Sequence, residues 1–175
     1  MGLDICVYQN LTPMDPEEYN LDSGGLPVSR KDGEPMGDFI LPFSAPCFDA
    51  RCLDLEHSLY FYDGCAHGRI GGYGYYGRWR FVLSEFSEWL METTPTLRAP
   101  PFFELINFSD CEGFLGTEVC RRLASHFEKY DEKVDEFFAQ LDEKSREYED
   151  TFGDIWETMG RLFEMAKERG AIQFC

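Results

Sequence analysis

The chain has 175 residues, of which 43% are hydrophobic and 16% aromatic, and this composition excludes an intrinsically disordered protein. Its 33 acidic residues face only 16 basic ones, so the formal net charge is −17. A chain of this charge repels phosphate backbones and anionic lipids, which argues against direct nucleic-acid binding and against attachment to a membrane surface.

The cysteines bear on the cellular compartment. There are seven, an odd number, and no secretory leader precedes them. No stretch of the sequence approaches the length of an apolar membrane-spanning helix. We therefore expect a cytoplasmic protein whose thiols are free.

Short strands and a long loop are predicted for the first third of the chain. Residues 3–9, with the sequence LDICVYQ, are rich in strand-forming side chains and predict an N-terminal strand. Residues 10–56 carry many Pro, Gly, Asp and Ser residues, which predicts an extended loop region with short elements or a functional insertion. Residues 58–63, SLYFYD, predict a second strand.

Helical spacing first appears in the middle of the chain. In residues 78–90, RWRFVLSEFSEWL, apolar side chains recur at intervals of three and four, which predicts an amphipathic helix. The Pro-containing residues 94–101 end this helix. Residues 102–108, FFELINF, form a short apolar run, and we predict a third strand there.

The C-terminal third is predicted to form a helical hairpin. One apolar stripe steps by three and four between residues 119 and 141, and a second runs from 148 to 166. Gly170 is expected to stop the second helix, and residues 171–175 fit a short strand or tail. The predicted class is α+β: a small, mainly antiparallel sheet packed against a long C-terminal helical hairpin plus one shorter helix, in a single domain spanning residues 1–175.

Four segments of the chain together resemble one protein family. They are MGLDI at residues 1–5, YYGRWR at 75–80, ELINFSDCEGFLGTEV at 104–119 and AKERGAIQF at 166–174. The family consists of uncharacterised bacterial and phage proteins without an established activity. The resemblance implies a cytoplasmic protein of prokaryotic or viral origin, and it transfers no catalytic residue. Small acidic proteins of such origin often bind another protein, as inhibitors of defence systems or as immunity partners of toxins.

The segment NFSDCEGFLG, residues 107–116, brings two carboxylates next to a thiol. Asp110 and Glu112 flank Cys111 and would raise the pKa of its thiol, which opposes a nucleophilic role. The same two carboxylates could hold a divalent cation, with His67 as the base of a small metal-assisted hydrolase. This is the alternative functional interpretation of the chain.

The same segment can also be an ordinary turn that has no catalytic or metal-binding role. Gly113 and Gly116 supply a permissive backbone, and Thr117 is expected to cap the helix that follows. Asp110 can accept hydrogen bonds from nearby backbone amides in an Asx turn. We favour this structural interpretation, and we therefore do not expect catalysis or a cofactor.

Residues 72–77, GYGYYG, match the glycine spacing of a dinucleotide-binding loop. That motif requires a strand before the first glycine, and the preceding CAHGRIG is poor in strand character. An aromatic loop before the helix is the better interpretation. Tyr73, Tyr75 and Tyr76 are then either exposed anchors for a protein partner or buried core residues.

Five metal-binding side chains fall within 21 residues of one another: Cys47, Cys52, His57, Cys65 and His67. These residue types suit Zn²⁺, although the close C-x2-C spacing of zinc knuckles is missing. Buried free thiols and a solvent-facing imidazole are the structural alternative. Zinc is therefore a secondary hypothesis of the sequence.

Acidic residues recur along the first helix of the predicted hairpin. Asp131 and Asp135 are candidate binding residues, because a row of acids on one helix face can imitate the phosphates of DNA. Lys129 and Lys133 interleave with them, which also fits a solvated face with ion pairs between successive turns.

The expected function is non-catalytic binding of another protein. The acidity of the chain favours a partner that is basic or handles nucleic acid, of the inhibitor, anti-defence or immunity type. The alternative is that the acidic residues only keep the protein soluble.

Overall fold

The computed structural model describes residues 2–42, 54–55, 58–107, 113–142 and 147–175. Its strands are β1 Gly2–Gln9, β2 Thr12–Pro13, β3 Tyr19–Leu21, β4 Pro27–Ser29, β5 Phe39–Ile40, β6 Tyr60–Phe61, β7 Gly64–Gly72, β8 Gly113–Leu115 and β9 Ala171–Phe174. Its helices are α1 Tyr73–Thr93, α2 Phe103–Asn107, α3 Thr117–Ala139 and α4 Glu149–Ala166. The predicted α+β class is confirmed.

The main sheet has four antiparallel strands in the order β7-β1-β9-β8. Along β1 the side chains of Leu3, Ile5 and Val7 are completely buried, while those of Cys6 and Tyr8 face the other way. This alternation follows from the two-residue period of a strand, and it gives the sheet an inner face toward the helices and an outer face.

Helices α1, α3 and α4 cover the inner face of the sheet. The apolar stripes predicted for α3 and α4 face each other and the sheet in one core, which confirms the predicted hairpin. Helix α4 lies so close to β7 that a Cβ at Gly68 would come within 2.6 Å of Leu162 Cδ1. No helix within the described ranges is long and apolar enough to cross a membrane.

The predicted loop region 10–56 contains several short strands. β3 and β4 form a two-stranded sheet, and β2 and β5 flank β6 in a three-stranded one. A second, smaller core joins this sheet to the outer face of the main sheet through Tyr60, Phe114 and Tyr8. The strand predicted at residues 58–63 is thereby confirmed as the short β6.

Three predictions of local structure are wrong. The run CAHGRIG, judged poor in strand character, belongs to β7, which pairs with β1 along its length. Helix α1 begins at Tyr73, so GYGYYG forms the start of a helix and not a loop. Residues 103–107 of the predicted third strand form helix α2, which follows Phe102 in the left-handed conformation, with φ 61°.

The residues that begin α3 and follow α4 do not play the roles predicted for them. Gly116, not Thr117, occupies the N-cap of α3, and the Thr117 hydroxyl instead donates to the Gly170 carbonyl at 2.7 Å. Arg169 takes the left-handed conformation after α4, with φ 49°. Gly170 is required for space, because a Cβ there would lie 2.7 Å from Ala166 and 2.8 Å from the Tyr8 carbonyl.

Candidate functional site

Three thiols and one imidazole lie together on the outer face of the main sheet. Cys6 Sγ is 3.2 Å from His67 Nδ1 and 3.6 Å from Cys175 Sγ, and Cys65 Sγ is 3.3 Å from His67 Nε2. We call these four residues the thiol–imidazole cluster. The register produces it, since Cys6 is directly opposite His67 on β7 and Gln173 on β9.

Within this cluster, Cys6 is not suited to act as a nucleophile. Burial, followed by the neighbouring Cys175, raises the pKa of the Cys6 thiol to about 11. Burial also raises the pKa of the adjacent Tyr8, whose hydroxyl donates to Gln173 Oε1 at 2.8 Å. At neutral pH Cys6 therefore stays a protonated thiol, and a thiol is a poor nucleophile.

Of the five predicted zinc ligands, the structure describes only two. Cys65 and His67 lie in the thiol–imidazole cluster, whereas Cys47, Cys52 and His57 lie outside the described residues. Within the described ranges no group of three or more His, Cys, Asp or Glu side chains could hold a metal ion. Cys6 and Cys175 were not among the predicted site residues; Cys6 points outward from β1, and Cys175 directly follows β9.

The residues of the hydrolase alternative are placed only in part. Asp110, Cys111 and Glu112 lie outside the described residues. His67 lies on the outer sheet face, where both of its ring nitrogens contact sulfur atoms. The hydrolase alternative therefore stays a prediction.

The three candidate tyrosines have different environments. Tyr76 is completely buried and Tyr73 packs partly against the core, so both fit the structural interpretation. Tyr75 is 62% exposed and fits the interpretation as an anchor. It lines a groove of about 500 Å³ between α1 and the start of α4, where the Arg78 guanidinium lies 3.2 Å from the centre of the Tyr148 ring.

A second groove, of about 410 Å³, runs between α3 and α4. Its floor is apolar, with the buried side chains of Phe127 and Trp156 and the backbone of Gly160. Its rim is acidic, with four carboxylates and one guanidinium. We call it the acidic groove, and its charged residues are Glu128, Asp131, Glu157, Glu164 and Arg161.

The two candidate aspartates on α3 have different positions. Asp131 lines the acidic groove, and its Oδ1 accepts a hydrogen bond of 2.8 Å from Trp156 Nε1. Asp135 is exposed one turn further along the helix. Lys133 pairs with Glu136 at 2.6 Å, so the mixed charges expected on this face do form an ion pair.

A comparison with protein-family models, curated proteins and solved structures finds no match to this chain.

Proposed function

We propose that this chain is a non-catalytic binding protein that holds a basic segment of another protein in the acidic groove. The observation that carries the proposal is the pairing of an apolar floor with a rim of four carboxylates between α3 and α4. The net charge of −17 supports it, because the field of the whole chain attracts a basic partner.

Lysine and arginine side chains match both parts of the groove. Their aliphatic stems can lie along Phe127 and Trp156, while their charged ends pair with the carboxylates of the rim. Arginine suits the rim best, because its planar guanidinium binds a carboxylate through two hydrogen bonds.

The biological class of the partner is a further part of the proposal. The resemblance to uncharacterised bacterial and phage proteins and the acidity of the chain support a cytoplasmic inhibitor, anti-defence or immunity-type protein. A partner that handles nucleic acid is the best fit, since such proteins carry basic surfaces shaped for phosphates.

The test uses a fluorescent peptide in which arginine and leucine alternate, and a copy with glutamine in place of arginine. Anisotropy measures binding to the wild type and to a groove variant that combines Asp131→Asn, Glu157→Gln and Glu164→Gln. A control variant, Glu85→Gln with Glu88→Gln and Glu92→Gln, removes the same charge from exposed positions on α1.

The groove variant should bind the arginine peptide at least about tenfold more weakly, since three lost ion pairs of several tenths of a kcal/mol each add up to that factor. The control variant should bind within about threefold of the wild type. If both variants weakened binding equally, net charge alone would attract the peptide, and the proposal would be overturned. The proposal would also be overturned if the wild type bound the glutamine peptide as tightly as the arginine peptide.

A further inference from the structure

We propose that the groove between α1 and the start of α4 binds a small aromatic monocarboxylate. We call it the aromatic groove, and it shares no lining residue with the acidic groove. The inference therefore goes beyond the function proposed above, and either proposal can fail without the other. The volume of the groove, about 500 Å³, is in the range of about 300–1,000 Å³ that is usual for small-molecule sites.

The wall of the aromatic groove is mostly apolar. Four aromatic residues and one valine contribute to it, namely Tyr75, Trp79, Val82, Tyr148 and Phe152. The rings of Trp79 and Phe152 stack with their centroids 5.8 Å apart, so each holds the other in position. A wall of this kind favours a ligand with a flat apolar body.

An aromatic ring holds a cation at the groove. The Arg78 guanidinium lies 3.2 Å from the centre of the Tyr148 ring, and both residues line the groove. Such stacking uses the face of the guanidinium and leaves the N–H groups in its plane for other acceptors. Among the described residues Arg78 forms no ion pair, although the net charge of the chain is −17. Arg78 can therefore bind a carboxylate through two parallel hydrogen bonds.

The first turn of α1 adds positive potential at the same place. Its N-cap is Gly72, which has no side chain that could accept a hydrogen bond, and the first turn of this 21-residue helix contains no acidic residue. Gly72 and Gly74 line the groove, so the backbone of this turn borders it. The amide groups and the dipole at a helix start attract an anion.

Trp79 gives an independent indication that the groove receives a hydrogen-bond acceptor. It lines the groove and is only 2% exposed, and its buried Nε1 has no hydrogen-bond partner in the described part of the chain. Buried donors in native proteins are almost always paired. A ligand carboxylate would supply the acceptor that this indole lacks.

Glu147 limits the charge that the ligand can carry. Its carboxylate belongs to the lining of the same groove, and the chain as a whole is strongly acidic. These charges repel a second negative group. One guanidinium and one helix start therefore suit a single carboxylate better than a phosphate ester, which carries up to about two charges at neutral pH.

The first experiment compares two probes of the same shape, 2-naphthoate and the neutral 2-naphthamide, by isothermal titration calorimetry with the full-length chain. The wild type should bind naphthoate at least about tenfold more tightly than naphthamide, which is the factor expected for hydrogen bonds to a charged group. Arg78→Gln should weaken naphthoate binding at least about tenfold and leave naphthamide binding within about threefold. Arg98→Gln removes the same charge from an exposed position outside the groove, and this control should bind both probes like the wild type.

The second experiment blocks the groove without disturbing the core. A Cβ at Gly74, which lines the groove, or at Gly77, which does not, would meet no heavy atom within 4 Å outside its own part of the helix. Both positions therefore accept a side chain, and leucine is a better helix former than glycine. Gly74→Leu should abolish the binding of both probes, whereas the matched control Gly77→Leu should bind them like the wild type.

The third measurement detects binding in the wild type, so it does not depend on how a variant folds. Naphthoate should shift the indole N–H resonance of Trp79 more than those of Trp89 and Trp156, in NMR spectra that are assigned with Trp79→Phe.

Four results would each overturn the proposal. The first is that the wild type does not bind naphthoate, or binds it no more tightly than naphthamide. The second is that Arg78→Gln and Arg98→Gln weaken naphthoate binding equally. The third is that Gly74→Leu binds the probes as Gly77→Leu does, and the fourth is that naphthoate leaves the Trp79 resonance in place.

Discussion

The indole nitrogen of Trp156 donates a hydrogen bond to Oδ1 of Asp131, 2.8 Å away, and so joins the two helices of the hairpin beside the acidic groove. Replacement of Asp131 by Ala leaves a buried indole N–H without this acceptor, and we expect the free energy of unfolding to fall by about 1–3 kcal/mol. Asp131→Asn keeps an oxygen at the same position, so its free energy of unfolding should fall by less than that of Asp131→Ala. Urea denaturation of the three proteins measures the difference, and equal losses for Ala and Asn would contradict it.

A second prediction concerns the start of α3, where a distant carboxylate replaces the missing cap. Asp54 Oδ2 accepts a hydrogen bond of 2.9 Å from the backbone N–H of Glu118. Asp54→Ala should therefore lower the free energy of unfolding by about 1 kcal/mol, as the loss of a helix cap usually does. Because the N-terminus of a helix favours negative charge, the free energy of unfolding of Asp54→Asn should lie between those of Asp54→Ala and the wild type.

The same contact predicts a non-additive pair of substitutions. A Cβ at Gly116 would clash with Asp54 Oδ1, so Gly116→Ala must displace the capping carboxylate. The loss of stability in the double variant with Asp54→Ala should be smaller than the sum of the two single losses. Thermal and urea unfolding of the four proteins give the coupling, and strict additivity would show that Asp54 does not occupy this position.

A third prediction concerns the tight turn after α4. Gly170→Ala brings a Cβ to within 2.8 Å of backbone atoms of Ala166 and Tyr8, and backbone cannot move aside as a flexible side chain can. We expect a loss of about 1–3 kcal/mol in the free energy of unfolding. The neighbouring Arg169→Gly is the control, because its left-handed φ of 49° suits glycine, so stability should stay the same or rise by up to about 1 kcal/mol. A larger loss of stability in Arg169→Gly than in Gly170→Ala would contradict the turn geometry.

The fourth prediction is a pH dependence that arises at His126. Its Nδ1 accepts a hydrogen bond of 3.3 Å from the Phe102 amide, which requires the neutral ring. Burial lowers the pKa of His126, helped by Arg122 and Lys129 and opposed by Glu104. The unfolded chain therefore takes up this proton first, so the contribution of His126 to stability is complete above about pH 6.5 and is lost as the pH falls through the folded-state pKa.

The measurement for His126 compares unfolding free energies between pH 7.5 and 5 in the wild type and in His126→Asn. Asparagine offers an oxygen near the position of Nδ1 but does not titrate, so the variant should lose less stability on acidification. An unchanged slope in His126→Asn would refute the assignment.

Helices could be predicted from this sequence more reliably than strands, and particular elements show why. The stripes of α3 and α4 repeat over many turns, and a helix makes its hydrogen bonds within one continuous segment. Strand β7 lacks such a signal because it is rich in glycine, and it forms since β1 supplies its hydrogen-bond partners. Residues 103–107 carry an apolar run that fits either state, and they form the helix α2.

By itself the sequence determined the α+β class, the helical hairpin and the strongly negative charge, because periodicity and composition are properties of contiguous residues. Only the tertiary structure decided that Cys6 meets His67, 61 positions away, and Cys175, 169 positions away. It also decided that Asp54 caps α3 from 64 positions away, and that carboxylates of two helices form the rim of one groove. Such neighbours are set by strand register and helix packing, which depend on the whole core at once and leave no mark on the local pattern.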